Sequence, residues 1–305
     1  MELGEDARAT VPETVAREFD LGRVYESHAL PGRPDVLRVR CSAGEFMIKK
    51  PWDLLDVELY SRVEVRLNDL GIRQARQLRT TSGSLVAGTG HAVQEWLPGE
   101  ILVHPEPDLT RRFLTHLAAY DSALAGVEVP PELAARDSVW TRVVRPDYLL
   151  AELPGLLARH PDLGLDPAPV DRLLDALSDG QALLTPTADR QLVHGDHGPD
   201  NVLLDRDGTL TIIDFTPYHD SVLLGLGSVV YFFALHGRNP DRAELEAAFA
   251  AYGAESEAGW ATLTREALRR LATPFAAAAA RGTALDEPAT LRRYCSAVTL
   301  ADLVG

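Results

Sequence analysis

Residues 191–215 read QLVHGDHGPDNVLLDRDGTLTIIDF and contain a hairpin signal next to several polar residues. Two apolar runs flank Asp207-Gly208, and an Asp-Gly pair between such runs is among the strongest signals for a two-residue hairpin turn. Asn201 and Asp214 lie equally far from this pair, one on each side. In a two-residue hairpin they face each other, with Cβ atoms roughly 4.5–5.5 Å apart.

The polar residues of this stretch match the needs of phosphoryl transfer. A carboxylate and an amide oxygen at the predicted separation are suitable ligands for Mg²⁺, a hard cation that prefers oxygen. Asp196 lies in the loop that enters the hairpin and supplies a second, separate carboxylate. Phosphoryl transfer uses this combination, because the metal neutralises phosphate charge while another Asp accepts the proton of the attacking hydroxyl.

The spacing of these residues resembles a known pattern. His194-Gly-Asp196, then Asn201, then Asp214 in a DF pair resemble the catalytic loop and the metal-binding Asp of the kinase superfamily. HGD in place of HRD, with a large helical second half, is similar to the aminoglycoside phosphotransferase and choline kinase branch. The segment QEWLPGE (94–100) resembles the connection between the two lobes in that branch.

The resemblance implies a role for each motif residue. Asp196 is expected to be the catalytic base, Asn201 and Asp214 the magnesium ligands, and His194 a structural residue that fixes the loop. The implied cofactor is Mg²⁺, with ATP or GTP as co-substrate. Two residues of the connecting segment are expected to contact the nucleotide, namely Glu95 and Trp96.

The lysines of the chain support the same interpretation. Only two of the 30 Lys and Arg residues are lysines, and both, Lys49 and Lys50, end the run EFMIKK (45–50). The family places one lysine after such a run, at the end of a strand, to bind the α- and β-phosphates. We assign this role to Lys49, because alternation along a strand directs Lys50 to the other face. The usual glutamate partner is Glu58 or Glu64, of which Glu58 fits better.

The element pattern predicts an α+β protein with a bilobal, protein-kinase-like fold. Residues 1–20 are polar and are expected to form a poorly ordered lead-in. Residues 21–97 alternate in a strand-like manner around one helical segment and are predicted to form a small antiparallel-sheet N-lobe that binds the nucleotide. Residues 98–305 are predicted to form a larger, mostly helical C-lobe with the catalytic loop and the substrate site.

Composition limits the partners. The net charge of −15 argues against nucleic acid, since phosphate binding needs a basic surface, and is compatible with a cationic small-molecule substrate. No apolar run is long enough to cross a membrane. The two cysteines, Cys41 and Cys295, lie far apart without metal-ligand spacing, which favours a reducing compartment. A cytoplasmic location is therefore expected.

The predicted function is transfer of the γ-phosphate of ATP or GTP to a hydroxyl of a small molecule, with antibiotic inactivation as one form. A metabolic kinase of choline, homoserine or a sugar fits the same residues. A catalytically weak pseudokinase that serves as a binding module is disfavoured, because such a module needs no base. Carboxylates of the C-lobe that are candidates for binding a cationic substrate are Asp147, Asp220, Glu244, Glu255 and Glu257.

Overall fold

The computed structural model describes residues 5–31, 33–103, 105–135, 146–180 and 190–304. The chain divides into two compact units, each made of two separate stretches. The first unit contains residues 1–100 and 203–215, and the second contains residues 101–202 and 216–305. The hairpin stretch 203–215 therefore belongs with the N-terminal residues, whereas the sequence assigns it to the second lobe.

Residues 1–100 make up most of the first unit, which is built around an antiparallel sheet. Its elements are helix α1 (Glu5–Glu18), strands β1 (Val24–Leu30), β2 (Arg33–Cys41) and β3 (Gly44–Lys49), helix α2 (Leu54–Asp69) and strands β4 (Ala92–Glu95) and β5 (Glu100–Ile101). Strands β1 to β4 form one sheet in chain order. The predicted hairpin joins β2 to β3, with Cys41 opposite Gly44. Helix α2 begins after Asp53, whose Oδ1 accepts a hydrogen bond from the Leu55 N–H at 3.0 Å.

Helix α1 corrects the prediction of a poorly ordered lead-in over residues 1–20. Its last turn contributes Val15 and Ala16 to the core of the first unit, and Phe19 follows just after the helix. These side chains pack with buried residues of the sheet such as Val39 and Ile48. In the sequence, the apolar face of α1 is hard to recognise, because its side chains are short and alternate with charged ones. Burial of this face removes apolar area from water and stabilises the helix.

From residue 107 onward the chain is mostly helical, and it belongs to the second unit except for the hairpin stretch 203–215. The elements from residue 107 onward are helices α3 (Pro107–Leu124), α4 (Pro131–Ala134), α5 (Pro146–Ala158) and α6 (Ala168–Gly180), strands β6 (Arg190–His194), β7 (Val202–Leu204), β8 (Leu210–Ile212) and β9 (Pro217–Ser221), and helices α7 (Leu223–Val230), α8 (Arg242–Tyr252), α9 (Ser256–Arg281) and α10 (Glu287–Val304). Strand β6 pairs with β9, and β5, β7 and β8 form a three-stranded sheet in that order. In the described part of the chain, no helix combines the length and apolarity needed to span a membrane.

The hairpin turn between β7 and β8 is one residue longer than predicted. The Asp205 N–H donates to the Thr209 carbonyl at 3.0 Å, so these two residues pair across a three-residue loop that ends in left-handed Gly208. Asp205 Oδ1 also accepts the Thr209 N–H at 2.9 Å, which favours this longer loop. The register that placed Asn201 opposite Asp214 is therefore wrong, and their approach stays a prediction.

Candidate active site

Lys49 and Asp214 form an ion pair within the first unit. Lys49 is the last residue of β3, on the face of the strand that points away from buried Phe46 and Ile48. Its Nζ donates to Asp214 Oδ1 at 2.8 Å. Lys50 follows the strand and is exposed. The strand therefore directs one of the two lysines to the proposed metal ligand and leaves the other in solvent.

Asp214 combines an unusual backbone with a positive environment. Its φ is +54°, in the left-handed region that non-glycine residues seldom adopt and that is common at functional sites. Arg33 Nη1 lies 3.6 Å from Oδ2, so each carboxylate oxygen faces a cation. The side chains of Asp214 and Lys49 are 34% and 18% exposed, which leaves this group open to an incoming ligand.

The expected glutamate partner of Lys49 is not observed within the described residues. Glu58 lies exposed on α2. Glu64 is buried and accepts a hydrogen bond from Asn68 Nδ2 at 3.0 Å, and burial raises the pKa of its carboxyl. The partner of Lys49 is Asp214 instead, because the lysine sits at the strand end where the carboxylate approaches.

Glu95 is the last residue of strand β4 and Trp96 follows it, and both are half-buried. The Glu95 N–H donates to the Arg76 carbonyl at 2.9 Å, and the Trp96 N–H donates to the Glu45 carbonyl at 3.0 Å. The Arg38 guanidinium lies 4.6 Å from the centre of the Trp96 ring. These two backbone N–H groups are therefore engaged within the unit, so a nucleotide would have to use carbonyl oxygens or side chains here.

The loop that follows β6 is fixed by His194 in the second unit. His194 is fully buried, and its Nδ1 accepts a hydrogen bond from the Thr216 N–H at 3.1 Å. The Gly195 N–H donates to the Thr216 carbonyl at 2.8 Å. Because Nδ1 accepts, it carries no proton, and the ring serves to anchor the loop to the start of β9.

Gly195 is required by the ring of Tyr218. A Cβ at Gly195 would lie 2.1 Å from Tyr218 Cδ2, far inside contact distance. Tyr218 reaches this place because β9 pairs with β6, with Val193 as its partner. The glycine of the HGD motif thus lets an aromatic ring cover the backbone just before Asp196. Sequence reasoning missed Tyr218, since only the strand pairing reveals it.

Asn201 positions the loop and keeps one oxygen for a ligand. Its Nδ2 donates to the Asp196 carbonyl at 2.9 Å, which closes the loop between them. Its Oδ1, the atom that binds hard cations, makes no hydrogen bond to a described residue. The Asp196 carboxylate itself is exposed. Across the described residues, no three His, Cys, Asp or Glu side chains form a group suited to a metal.

Comparison with known families identifies the class of enzyme. The model of the phosphotransferase enzyme family (APH) matches residues 35–271, which include the Lys49–Asp214 pair and the loop around Asp196. This chain belongs to the phosphotransferase enzyme family. The predicted family and the prediction of a phosphotransferase with an alcohol group as acceptor are confirmed.

Solved structures of this phosphotransferase family share the fold. An aminoglycoside phosphotransferase from Alicyclobacillus acidocaldarius has a TM-score of 0.70 at 18% identity, covering 96% of this chain and 93% of that one. Spectinomycin phosphotransferase APH(9)-Ia with AMP gives 0.67 at 14%, covering 96% and 98%. Choline kinase LicA from Streptococcus pneumoniae gives 0.59 at 12%, covering 98% and 99%. The predicted α+β kinase-like fold is confirmed. Among curated proteins, no sequence relative is found.

The loop contains another buried residue, His197, against which Gly225 of α7 packs. The His197 ring is fully buried, and its centre is 4.6 Å from that of His194. Burial, together with His194 and Arg270, lowers its pKa well below the usual value, so the ring is neutral. Neither of its nitrogens hydrogen-bonds to a described residue. A Cβ at Gly225 would lie 3.1 Å from His197 Cε1 and 3.3 Å from Asp121 Oδ2, so this glycine brings both side chains close.

Asp121 is a buried carboxyl group on α3. Tyr252 Oη donates to its Oδ2 at 2.8 Å. Burial raises the pKa of Asp121 to about 7, although the tyrosine hydrogen bond opposes the shift. The sequence gives no signal for this contact, because its two members lie on helices α3 and α8.

A group of charges on α9 was also missed. Arg269 and Arg270 both donate to Glu266, with Nε–O distances of 2.6 Å each. Burial would raise the pKa of Glu266, but the charges of Arg270 and Arg269 lower it to about 2. Glu266 is therefore a buried, ionised carboxylate between two cations. A helical pattern alone does not distinguish such arginines from exposed ones.

Proposed function

We propose that this protein transfers the γ-phosphate of ATP or GTP to a hydroxyl of a small molecule, with Mg²⁺ as cofactor. The observation that carries the proposal is the loop 194–201. It presents an exposed Asp196 carboxylate on a backbone fixed by His194 and Asn201. A base of this kind needs access to the acceptor and little freedom of its own, because misplacement by about 1 Å costs rate.

In the proposed reaction the acceptor oxygen attacks the γ-phosphorus. The bond from this phosphorus to the β,γ-bridging oxygen breaks, and ADP or GDP leaves with that oxygen and its electron pair. The proton of the acceptor hydroxyl passes to the Asp196 carboxylate. Lys49 is proposed to bind the α- and β-phosphates, for which its position at the end of β3 and its 18% exposed side chain provide access.

The residues present fit a magnesium ion. Asp214 offers a carboxylate that already faces two cations, and Asn201 offers a free Oδ1, since its Nδ2 is engaged by Asp196. Mg²⁺ is usually bound by one or two carboxylates and by substrate phosphates, so no larger protein ligand set is needed. When bound, the ion neutralises the negative charge of the phosphates. Asn201 and Asp214 are therefore the proposed ligands.

The relatives suggest two classes of acceptor. Related solved structures include a spectinomycin complex, a kanamycin complex and a choline kinase, and the nucleotides in them are AMP, ADP or GDP. By analogy, antibiotic inactivation and a metabolic kinase are both candidates for this chain. A cytoplasmic location is part of the proposal and is supported by two free cysteines, Cys41 and Cys295.

The test is a screen for nucleotide turnover with purified full-length protein. Mg²⁺-ATP and Mg²⁺-GTP would each be incubated with aminoglycosides, amino alcohols, hydroxy acids and sugars, and phosphorylated product detected by mass spectrometry. With the acceptor found, Asp196→Asn should lower kcat about 10²–10⁴-fold, the usual contribution of a general base. Near-normal turnover by a folded variant would refute the role of Asp196. A wild-type protein that phosphorylates none of these acceptors would favour the pseudokinase alternative.

A further inference from the structure

Helix α9 contains a buried cluster of two cations and one anion. Arg269 and Arg270 share Glu266, whose side chain is fully buried. We call Arg269 and Arg270 the α9 arginine pair. Because Glu266 stays ionised, the pair and this carboxylate together have one positive charge in excess. A Cβ at Gly227 would lie 3.3 Å from Glu266 Cβ, so close packing of α7 holds the carboxylate in place.

Helix α7 joins the α9 arginine pair to the loop that carries Asp196. A Cβ at Gly225 would lie 3.1 Å from His197 of that loop, and Gly227, two residues further along α7, packs against Glu266.

Burial lowers the pKa of both guanidinium groups, whereas Glu266 and, more weakly, Asp196 raise it. The net pKa is raised for Arg269 and lowered for Arg270, on which Arg269 also acts. Tyr218 also raises the pKa of Arg269. The arginine side chains are only 8% and 15% exposed, whereas Asp196 is exposed. Partly desolvated guanidinium groups interact strongly with an anion, because water screens them less.

Each guanidinium group also has donors left for a ligand. Arg269 uses Nε and Nη2 on Glu266, and Arg270 uses Nε on Glu266 and Nη2 on Ser228. The Nη1 atoms of both arginines hydrogen-bond to none of the described residues. The Arg270 guanidinium also lies 4.3 Å from the centre of the Phe232 ring, which fixes its plane. Planar, fixed guanidinium groups are well suited to carboxylate and phosphate oxygens.

The carboxylates expected to bind a cationic substrate are engaged or distant. Asp220 is fully buried and its Oδ1 accepts the Ser221 N–H at 2.9 Å, and Glu244 forms an ion pair with Arg238 at 3.1 Å. Glu255 and Glu257 lie at the start of α9, about 18–23 Å along the helix from its arginine pair. Asp147 is outside the residues whose side chains the structure describes.

We infer that the phosphate acceptor carries an anionic oxygen group, a carboxylate or a phosphate, that binds Arg269 and Arg270 and so positions the hydroxyl at Asp196. This inference rests on the proposed function and narrows its acceptor to hydroxy acids or phosphorylated alcohols. A polycationic aminoglycoside would place its positive charges against the arginine pair, and the repulsion disfavours that class.

The test compares acceptors that differ only in the anionic group. Glycerate would be compared with its methyl ester, and glucose 6-phosphate with glucose, while kanamycin and choline represent cations. The first pair tests a carboxylate and the second a phosphate. Product formation with Mg²⁺-ATP or Mg²⁺-GTP is expected for at least one anionic member, with kcat/KM at least about tenfold above its neutral partner, as for loss of one charge-assisted contact.

Variants of α9 show whether the arginines bind that group. Arg270→Gln should raise KM for the anionic acceptor about tenfold or more and change kcat little, and Arg270→Lys should be intermediate. Arg281→Gln, an exposed position on the same helix, is the matched control and should change neither. Thermal unfolding of each variant separates loss of the contact from loss of the fold.

The outcomes separate this inference from the proposed function. If neutral or cationic acceptors are phosphorylated as well as the anionic ones, the acceptor inference is refuted and the kinase function stands. If nothing is phosphorylated, the kinase function fails, and binding of malonate and inorganic phosphate decides the inference. These anions should raise the Tm of the wild type more than that of Arg270→Gln, and equal shifts would overturn it.

Discussion

Each unit of this protein places a carboxylate between two cations, but the surroundings differ. In the first unit, Asp214 faces Lys49 at 2.8 Å and Arg33 at 3.6 Å, and its side chain is 34% exposed. In the second, Glu266 lies between two arginines of its own helix and is fully buried. The first group is open to exchange with a ligand, whereas the second is a permanent part of the fold.

The physical reason is the competition with water. The half-buried Lys49–Asp214 pair contributes little, about 1 kcal/mol, because both side chains still reach water when the pair opens. Removing one member of a buried group costs about 3–5 kcal/mol, because the remaining charges lose both partner and solvent. Displacement of Lys49 and Arg33 by the proposed metal ion would therefore cost the first unit little stability, whereas loss of either arginine from Glu266 would cost much more.

The largest expected effect is at the exchangeable carboxylate. Asp214→Asn should abolish metal-dependent phosphate transfer, because a neutral amide cannot replace the charge that Mg²⁺ requires. The free energy of unfolding should change by no more than about 1 kcal/mol. Asp35→Asn, which removes another exposed partner of Arg33, is the control and should retain activity. Turnover assays and urea unfolding measure the two quantities, and full activity of Asp214→Asn would refute its role.

At the buried carboxylate, Glu266, the large effect is expected on stability. Glu266→Gln should lower the free energy of unfolding by about 3–5 kcal/mol, since two buried guanidinium groups lose their counter-charge. Glu257→Gln, an exposed change on the same helix, should stay within about 0.5 kcal/mol of the wild type. Urea titration followed by circular dichroism provides the comparison. Equal stability of the two variants would mean that the buried group is not a structural element.

A third carboxylate extends the comparison, because Asp121 is bound by a tyrosine hydroxyl rather than by arginines. Burial raises its pKa from 3.8 to about 7, so the folded protein favours the protonated form. The stabilisation is therefore complete below about pH 4 and is lost as the pH rises to about 7, by about 1.4 kcal/mol per pH unit. Asp121→Asn should remove this dependence. Unfolding measured from pH 5 to pH 8 tests it, and parallel curves for both proteins would contradict it.

The smallest effect on stability is expected at the lysines. Lys49→Met should change the free energy of unfolding by less than about 1 kcal/mol but should raise KM for the nucleotide. Lys50→Met, at the adjacent exposed position, should change neither. Isothermal titration with ADP and Mg²⁺ would measure the difference. Equal losses of affinity in both variants would show that the strand does not select one lysine.

Local patterns in the sequence predicted strands such as β3 well. They failed where side-chain contacts decide which backbone conformation forms. The alternation of EFMIKK predicted β3 and placed Lys49 at its end, as observed. The prediction of a two-residue turn was wrong, because Asp205 Oδ1 accepts a hydrogen bond from the Thr209 N–H and so stabilises a loop that is one residue longer. Helix α1 was missed, because its apolar positions form a core only when the sheet is present.

The candidate site shows the same limit. The motif residues Asp196 and Asn201 follow from spacing, since the family pattern is local in the chain. Tyr218, Asp121 and Arg269 come from a strand pairing or from distant helices, and no short pattern predicts which of many similar residues will meet the loop. Their positions follow only from the three-dimensional fold.

The first unit is encoded in two stretches, residues 1–100 and 203–215, and this has a consequence for protein synthesis. A ribosome adds about 5–20 residues per second, so the second stretch is made roughly 5–20 s after the first. During that interval the nascent chain contains Lys49 but has not yet received Asp214. The four-stranded sheet can therefore form on the ribosome before its ion pair exists, and the first unit is completed only after residues 101–202 of the second unit have been translated.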